Sequence, residues 1–168
     1  MDKDLIYEHC HNADVIHHLA GITDVPRVKG ETTIDKEKQI KLVAEDGTQN
    51  IIEAMNDKCK IIMPSSHVVY EGIQEVKNNI EENERTFPVL SYGKSKAFNE
   101  EQLKNSGKNY IILRLGSVYG YSTDTARLDI MANHFSKMAS QNKSLKLFAG
   151  GRQIKSLVPL IDLSLIHI

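Results

Sequence analysis

Short apolar runs rich in β-branched residues alternate along this chain with longer stretches of helical periodicity, and no segment repeats another. Strands joined by crossovers of helical length are parallel, so the pattern specifies α/β: a parallel sheet with helices packed on it. The runs predict strands over residues 13–20, 60–63, 109–115 and 145–148. The first has the continuous apolar character of a buried parallel strand and ends at Gly21, before a polar loop with Pro26 and Gly30. The second finishes at Pro64-Ser65-Ser66, where a proline is tolerable because the strand is ending. Residues 33–57 read as one long helix with Ile40, Val43, Ala44, Gly47, Ile51, Ala54 and Met55 on a single stripe. A glycine there costs about 1 kcal/mol against alanine, which points to close approach of another backbone. Further helices are expected over 90–106, closed by Gly107, and over 127–141. Ligands of parallel sheets collect at the carboxyl ends of the strands, here Ala20-Gly21, Ser65-Ser66 and Gly116-Ser117.

Composition narrows the function classes. The 168 residues carry 21 Lys+Arg against 22 Asp+Glu, a formal net charge of -1, which gives no broad attraction to nucleic acid or to an anionic membrane. No apolar run approaches the roughly 20 residues that span a bilayer, and the opening Met1-Asp2-Lys3-Asp4 leads into polar sequence rather than a signal-peptide core. Cys10 and Cys59 are too few for a disulfide framework or a four-cysteine zinc site, so reduced thiols and a cytoplasmic location are expected. His9, His11, His17 and His18 do not make a metal site on this reading. Neighbours on a strand face opposite ways, and no Cys or carboxylate is spaced to complete a tetrahedral set.

The residues best suited to chemistry are Tyr92 and Lys96, four apart at the start of a helix and therefore on one face. A cation beside a phenol favours phenolate and moves it toward use as a general base at neutral pH. Ser65 and Ser66 end the strand just before that helix, where a hydroxyl could share a substrate oxygen with Tyr92. Arg114, at a strand end, is expected to anchor neighbouring carboxylates, and residues 81–85 form a solvated charged loop.

Several motifs in order then resemble one family. They are the run Asp14 to Gly21, Gly47-Thr48-Gln49-Asn50-Ile51-Ile52-Glu53-Ala54, Ser65-Ser66-x-x-Val69-Tyr70, Tyr92-Gly93-Lys94-Ser95-Lys96, Leu113-Arg114-Leu115-Gly116-Ser117-Val118-Tyr119-Gly120 and Gly150-Gly151-Arg152-Gln153. Together they resemble the NAD-dependent epimerase/dehydratase family, the extended short-chain dehydrogenase/reductases, over almost the whole chain. The resemblance implies Tyr92 as catalytic acid/base, Lys96 holding the nicotinamide ribose, and Ser66 as third catalytic residue. It implies NAD or NADP contacts at Leu19, Ala20, Gly21 and Ser65 as well as at Tyr92 and Lys96. Ser66, Ser117, Asn133 and Lys155 fall on its substrate side, toward a nucleotide-activated sugar. It also implies a homodimer formed through the helix over 33–57 and the helix bearing Tyr92.

The chain departs from the family in ways that bear on its reaction. Ala44 stands where many members have asparagine, Ser117 replaces a frequent asparagine and Pro159 a frequent histidine. The family's dehydratases carry Asp-Glu directly after the catalytic hydroxyl, whereas this chain has His67-Val68, which favours an epimerase over the alternatives of a dehydratase or a 4-keto reductase. A catalytically inactive nucleotide-binding or assembly subunit is the alternative of another class. No Gly-x-Gly-x-x-Gly phosphate cradle follows a strand. The expectation is therefore a partial doubly wound, Rossmann-like parallel sheet with its first strands missing. Residues 1–162 make an incomplete NAD(P)-binding domain, with the start of a substrate-binding part from about 117, and 163–168 an atypical tail. Such a chain is expected not to turn over a nucleotide sugar by itself.

Overall fold

A computed structural model describes residues 2–22, 34–122, 127–128, 130–152 and 154–164. The loop with Pro26 and Gly30, Thr33, Gln153 and most of the tail lie outside the described residues. The chain divides into two compact units, Met1–Arg114 and Leu115–Ile168.

In the first unit, α1 (Lys3–Cys10), β1 (Val15–His17), α2 (Ile34–Lys41), a π-helical turn (Leu42–Asp46), α3 (Gly47–Ala54) and β2 (Lys60–Ser66) are followed by a 3-10 turn (His67–Tyr70), α4 (Ser91–Asn105) and β3 (Asn109–Leu115). The sheet order is β1-β2-β3, with β1 parallel to β2 in the register Val15↔Lys60 and His17↔Ile62. This is the partial parallel sheet of a Rossmann-like fold. Its core is Ile52, Met55, Cys59, Ile61, Met63 and Leu103, joined by Ala13, Ile16, Ile51 and Ile112. Ile61, Met63 and Ser65 alternate into the interior along β2, the period a strand requires.

Four sequence expectations are corrected here. The first strand spans three residues, not eight. Lys60 N donates to Asp14 O and His18 N to Ile62 O at 2.9 Å each, after which Leu19 N bonds His17 O at 3.0 Å and bends the chain away. β1 is an edge strand with Val15 48% exposed, so it lacks the two-sided burial expected of it. The long helix is not uniform: a π-turn interrupts it at Leu42–Asp46, and it ends at Ala54 because Met55 turns extended. Its stripe still faces inward, with Ile40, Ala44, Gly47, Ala54 and Met55 buried. The second strand runs on through Pro64 to Ser66, beyond the point where β1 has stopped pairing with it. α1 was not foreseen, although Asp2 signals it: its Oδ1 accepts from the amides of Asp4 and Leu5 at 3.1 Å.

The second unit holds β4 (Ser117–Tyr119), α5 (Met131–Ser140), a 3-10 turn (Phe148–Gly151), β5 (Leu157–Pro159) and α6 (Leu160–Ser164), with β4 and β5 parallel. The strand expected over 145–148 does not form. Leu145 and Leu147 are 46% and 57% exposed, and β4 pairs with β5 instead. Alternation without a buried face does not hold a strand. β4 and β5 themselves went unforeseen, being three residues each. Gly120, at φ +152, lets the chain pass Leu160, whose Cβ would stand 2.9 Å from a side chain placed there. α5 begins at Met131, a turn later than expected. No described helix is long and apolar enough to cross a membrane.

Leu103 is fully buried and is the one large apolar residue on the inner face of α4. Leu103→Ala is expected to lower the unfolding free energy by about 2–5 kcal/mol, read from urea denaturation with an unchanged slope.

Candidate active site

α4 is a helix whose buried face is polar. Gly93, Ser95, Asn99, Glu100 and Leu103 are its buried residues, so tertiary hydrogen bonds and not an apolar stripe fix its rotation. That rotation puts Tyr92 and Lys96 side by side, with Lys96 Nζ 5.8 Å from the centroid of the Tyr92 ring, within reach of a cation–π contact. Lys96 Nζ also donates to the carbonyl of Pro64 at 2.8 Å, which ties the pair to the end of β2. Burial pulls the Lys96 ammonium below its usual value, and the Glu100 carboxylate partly opposes this.

Ser66 stands between two points at which α4 meets this strand end. Pro64 binds Lys96, and the Val68 carbonyl lies where a Cβ on Gly93 would approach to 3.0 Å, so glycine after Tyr92 permits the close packing. Ser66 Oγ accepts from the Val68 amide at 3.4 Å. Ser65 turns the other way, as its neighbour on a strand must. It is buried and its hydroxyl donates to Glu100 Oε1 at 2.6 Å, which leaves its backbone as the part able to meet a cofactor.

Sequence reasoning missed what surrounds these residues. Arg114 donates from Nε to both oxygens of Glu100 at 3.0 and 3.1 Å and from Nη2 to Oε2 at 2.5 Å, while Nη1 reaches the Tyr70 hydroxyl and, at 2.9 Å, the Glu82 carbonyl. The expected carboxylate partner of Arg114 is thus Glu100. Burial works to raise the Glu100 carboxyl but is outweighed by the bonds from Arg114 and Ser65 and the charges of Arg114 and Lys104, so it stays below the usual range. Asn99 Nδ2 donates to Ala44 O at 3.2 Å and to Thr48 Oγ1 at 2.8 Å, which ties α4 to the π-turn and to α3. Thr48 Oγ1 lies 2.8 Å from His18 Nε2. Burial, then the charge of Lys96, lowers His18 to about 4. Thr48 thus joins His18 to Asn99 through one hydroxyl, which serves either tautomer of the neutral ring.

Past β1, Leu19, Ala20 and Gly21 are exposed, and a Cβ at Gly21 would meet nothing within 4 Å. The strand end therefore presents open backbone and an apolar side chain beside the segment that carries His18. In the second unit, Ser117 lies in β4, with its amide donating to Ser156 O at 2.8 Å, and Lys155 is exposed. Asn133 braces its own unit: Oδ1 accepts from the Gly120 amide at 3.1 Å and Nδ2 donates to Arg127 O at 3.0 Å.

A tyrosine and a lysine one turn apart, with the lysine on the carboxyl end of a strand in a partial Rossmann-like sheet, agree with the resemblance to the short-chain dehydrogenase/reductases. Residues 4–152 match the family described as the RmlD substrate binding domain, and the chain belongs to it, among the extended short-chain dehydrogenase/reductases of the nucleotide-sugar epimerase/dehydratase kind. A variant of the UDP-glucuronic acid 4-epimerase of Bacillus cereus, solved with UDP-4-deoxy-4-fluoro-glucuronic acid and NAD, is 25% identical and superposes with a TM-score of 0.77 over 97% of this chain and 51% of its own. Two others share the fold. The UDP-glucose 4-epimerase of Thermotoga maritima is 19% identical with a TM-score of 0.78, over 96% of this chain and 53% of its own. The dTDP-glucose 4,6-dehydratase of Streptomyces venezuelae is 20% identical with a TM-score of 0.74, over 96% and 49%. The chain spans about half the length of these solved structures. No curated protein matches it in sequence.

His18 gives the site a signature in stability. Its ring is neutral in the native state down to about pH 4 but takes a proton near pH 6.5 when unfolded. The unfolded state therefore binds more protons between those values, and stability falls as pH falls from 6.5 to 4. About 2 kcal/mol of unfolding free energy should be lost between pH 7 and 5. Urea titrations of His18→Asn should show a clearly smaller loss over that interval; equal losses in both proteins would refute the assignment.

Proposed function

We propose that this chain carries the catalytic half-site of an NAD(P)-dependent epimerase acting on a nucleotide-activated sugar. The observation behind this reading is the pairing of Tyr92 with Lys96 at 5.8 Å, with the ammonium anchored on Pro64 at the end of β2. The likeness to an epimerase solved with NAD supports it.

The residues at the strand ends fit the nicotinamide-ribose end of a dinucleotide. Lys96 offers an ammonium for ribose hydroxyls, and Leu19, Ala20 and Gly21 offer an open apolar and backbone surface. When bound, the cofactor supplies acceptance and return of hydride at a sugar carbon. Tyr92 takes the proton from the hydroxyl on that carbon and gives it back, Ser66 hydrogen-bonds the same oxygen, and the Lys96 charge favours the phenolate between the two transfers. Ser117, Asn133 and Lys155 belong to the sugar-nucleotide side in this reading. His67-Val68 after Ser66 brings no carboxylate for elimination, which favours epimerisation or keto reduction over dehydration. The proposed dimer surface is the face of α2, the π-turn and α4, where Ile34, Leu42 and Phe98 stand exposed.

Because no Gly-x-Gly-x-x-Gly cradle follows a strand and the chain is expected not to turn over by itself, the test fuses it to the glycine-rich segment of a family member. Wild type and Tyr92→Phe are compared in that fusion, by calorimetric titration of NAD⁺ and by chromatographic assay of UDP-glucose and UDP-glucuronic acid epimerisation. Loss of a general acid/base removes roughly 10²–10⁴-fold in turnover, and cofactor affinity should change little. Nucleotide-sugar binding with neither NAD⁺ binding nor turnover in the wild-type fusion would make the chain a non-catalytic subunit instead.

A further inference from the structure

α4 carries Tyr92 on its first turn but has no side-chain cap of its own, because Leu90 occupies the capping position. The amides leading into the helix are met from outside. Glu71, just past the 3-10 turn that follows Ser66, accepts at Oε1 from the amides of Val89 at 2.7 Å and Leu90 at 2.5 Å. A Cβ on Gly93 would lie 3.1 Å from the same oxygen. Backbone bonds close the join: Phe87 N donates to Val69 O at 2.7 Å, and Gly72 N to Phe87 O at 2.8 Å.

We propose that Glu71 is a positioning residue for Tyr92: through the amides of Val89 and Leu90, its carboxylate ties the first turn of α4 to the segment after Ser66 and so holds the phenol against Lys96. The proposal rests on the roles given above to Tyr92 and Lys96. A carboxylate suits the task, since the amides at a helix start form the positive end of its dipole and charge-assisted bonds are the stronger ones. One oxygen gripping two consecutive amides also fixes the direction in which the chain enters the helix. Leu90 has no polar atom to take over if the carboxylate is removed.

The experiment compares wild type, Glu71→Ala and Glu71→Gln as full chains by NMR. Two readouts are local: hydrogen exchange at the amides of Val89, Leu90 and Lys94, and the ring-current shift that Tyr92 imposes on the ε-methylene of Lys96. Glu71→Ala should speed that exchange about five- to tenfold, as expected for loss of a cap, and remove most of the ring-current shift. Glu71→Gln, which keeps an acceptor oxygen but not the charge, should fall between the two, about two- to threefold above wild type. Amides of residues 60–63 should exchange alike in all three. Glu71→Ala with wild-type exchange and ring-current shift overturns the proposal, and so does equal acceleration at 60–63, which marks a general loss of stability. Failure of the catalytic reading is separable. Tyr92→Phe keeps the ring, so undiminished turnover in that variant would remove the role of the phenol while leaving the ring-current measurement intact.

Discussion

The buried carboxylate of Glu100 is the interaction on which the first unit's geometry depends. It is 1% exposed and is met by Ser65 from β2 and by the guanidinium of Arg114 from β3, with Lys104 3.8 Å away. Removing an ion from water costs several kcal/mol, so such a group is tolerable only when its partners are all present, and deleting one of them costs about 3–5 kcal/mol. Arg114 extends the same cluster to the Tyr70 hydroxyl and the Glu82 carbonyl. One helix, two strands, the strand-end turn and a charged loop are therefore pinned to a common point. Leu103 packs one turn further along α4, so apolar burial secures the helix while Glu100 sets which face looks at the sheet.

With that rotation fixed, two cationic side chains compete in one desolvated corner. Lys96 and His18 repel each other, and water is largely excluded from both. The conflict resolves unevenly because their partners differ. Lys96 has the Pro64 carbonyl and the carboxylate of Glu100, both suited to a cation. His18 has the Thr48 hydroxyl, which serves a neutral ring equally well. The histidine yields its charge, and the field at the end of β1 and β2 is left with the lysine as its source.

How much of this was legible in the sequence follows from the range of each interaction. The Tyr92–Lys96 pair is local, set by helical spacing alone, and β3 was readable to its ends because the β-favouring run Tyr110-Ile111-Ile112-Leu113 lies between two glycines, Gly107 and Gly116. β4 and β5 were not readable: each is three residues long, and each exists only because the other is beside it. The hydrogen-bond partners of Glu100 and Asn99 lie 14 to 55 residues away in sequence, and neither residue looks buried by type. The π-turn left no periodicity signal either. Ile40, Val43, Ala44, Gly47, Ile51, Ala54 and Met55 keep helical spacing straight through it, and the carbonyls of Ala44 and Glu45 in that turn find Asn99 and Gln102 only once α4 is in place.

Pro64 shows how a residue that a sequence reading treats as a terminator can belong inside the element. Lys60 and Ile62 direct their backbone groups toward β1, as the bonds to Asp14 and from His18 demonstrate. Two residues further on, the period of the strand directs those of Pro64 the same way. By then β1 has turned aside at Leu19, so that side of β2 has no ladder partner. An ordinary residue would leave both an amide and a carbonyl to be satisfied in a partly buried place. Proline has no amide hydrogen, which leaves the carbonyl alone to be matched, and Lys96 matches it at 2.8 Å. The missing donor that bars proline from the middle of a sheet is here the reason the strand can continue to Ser66 while its neighbour makes way for the lysine.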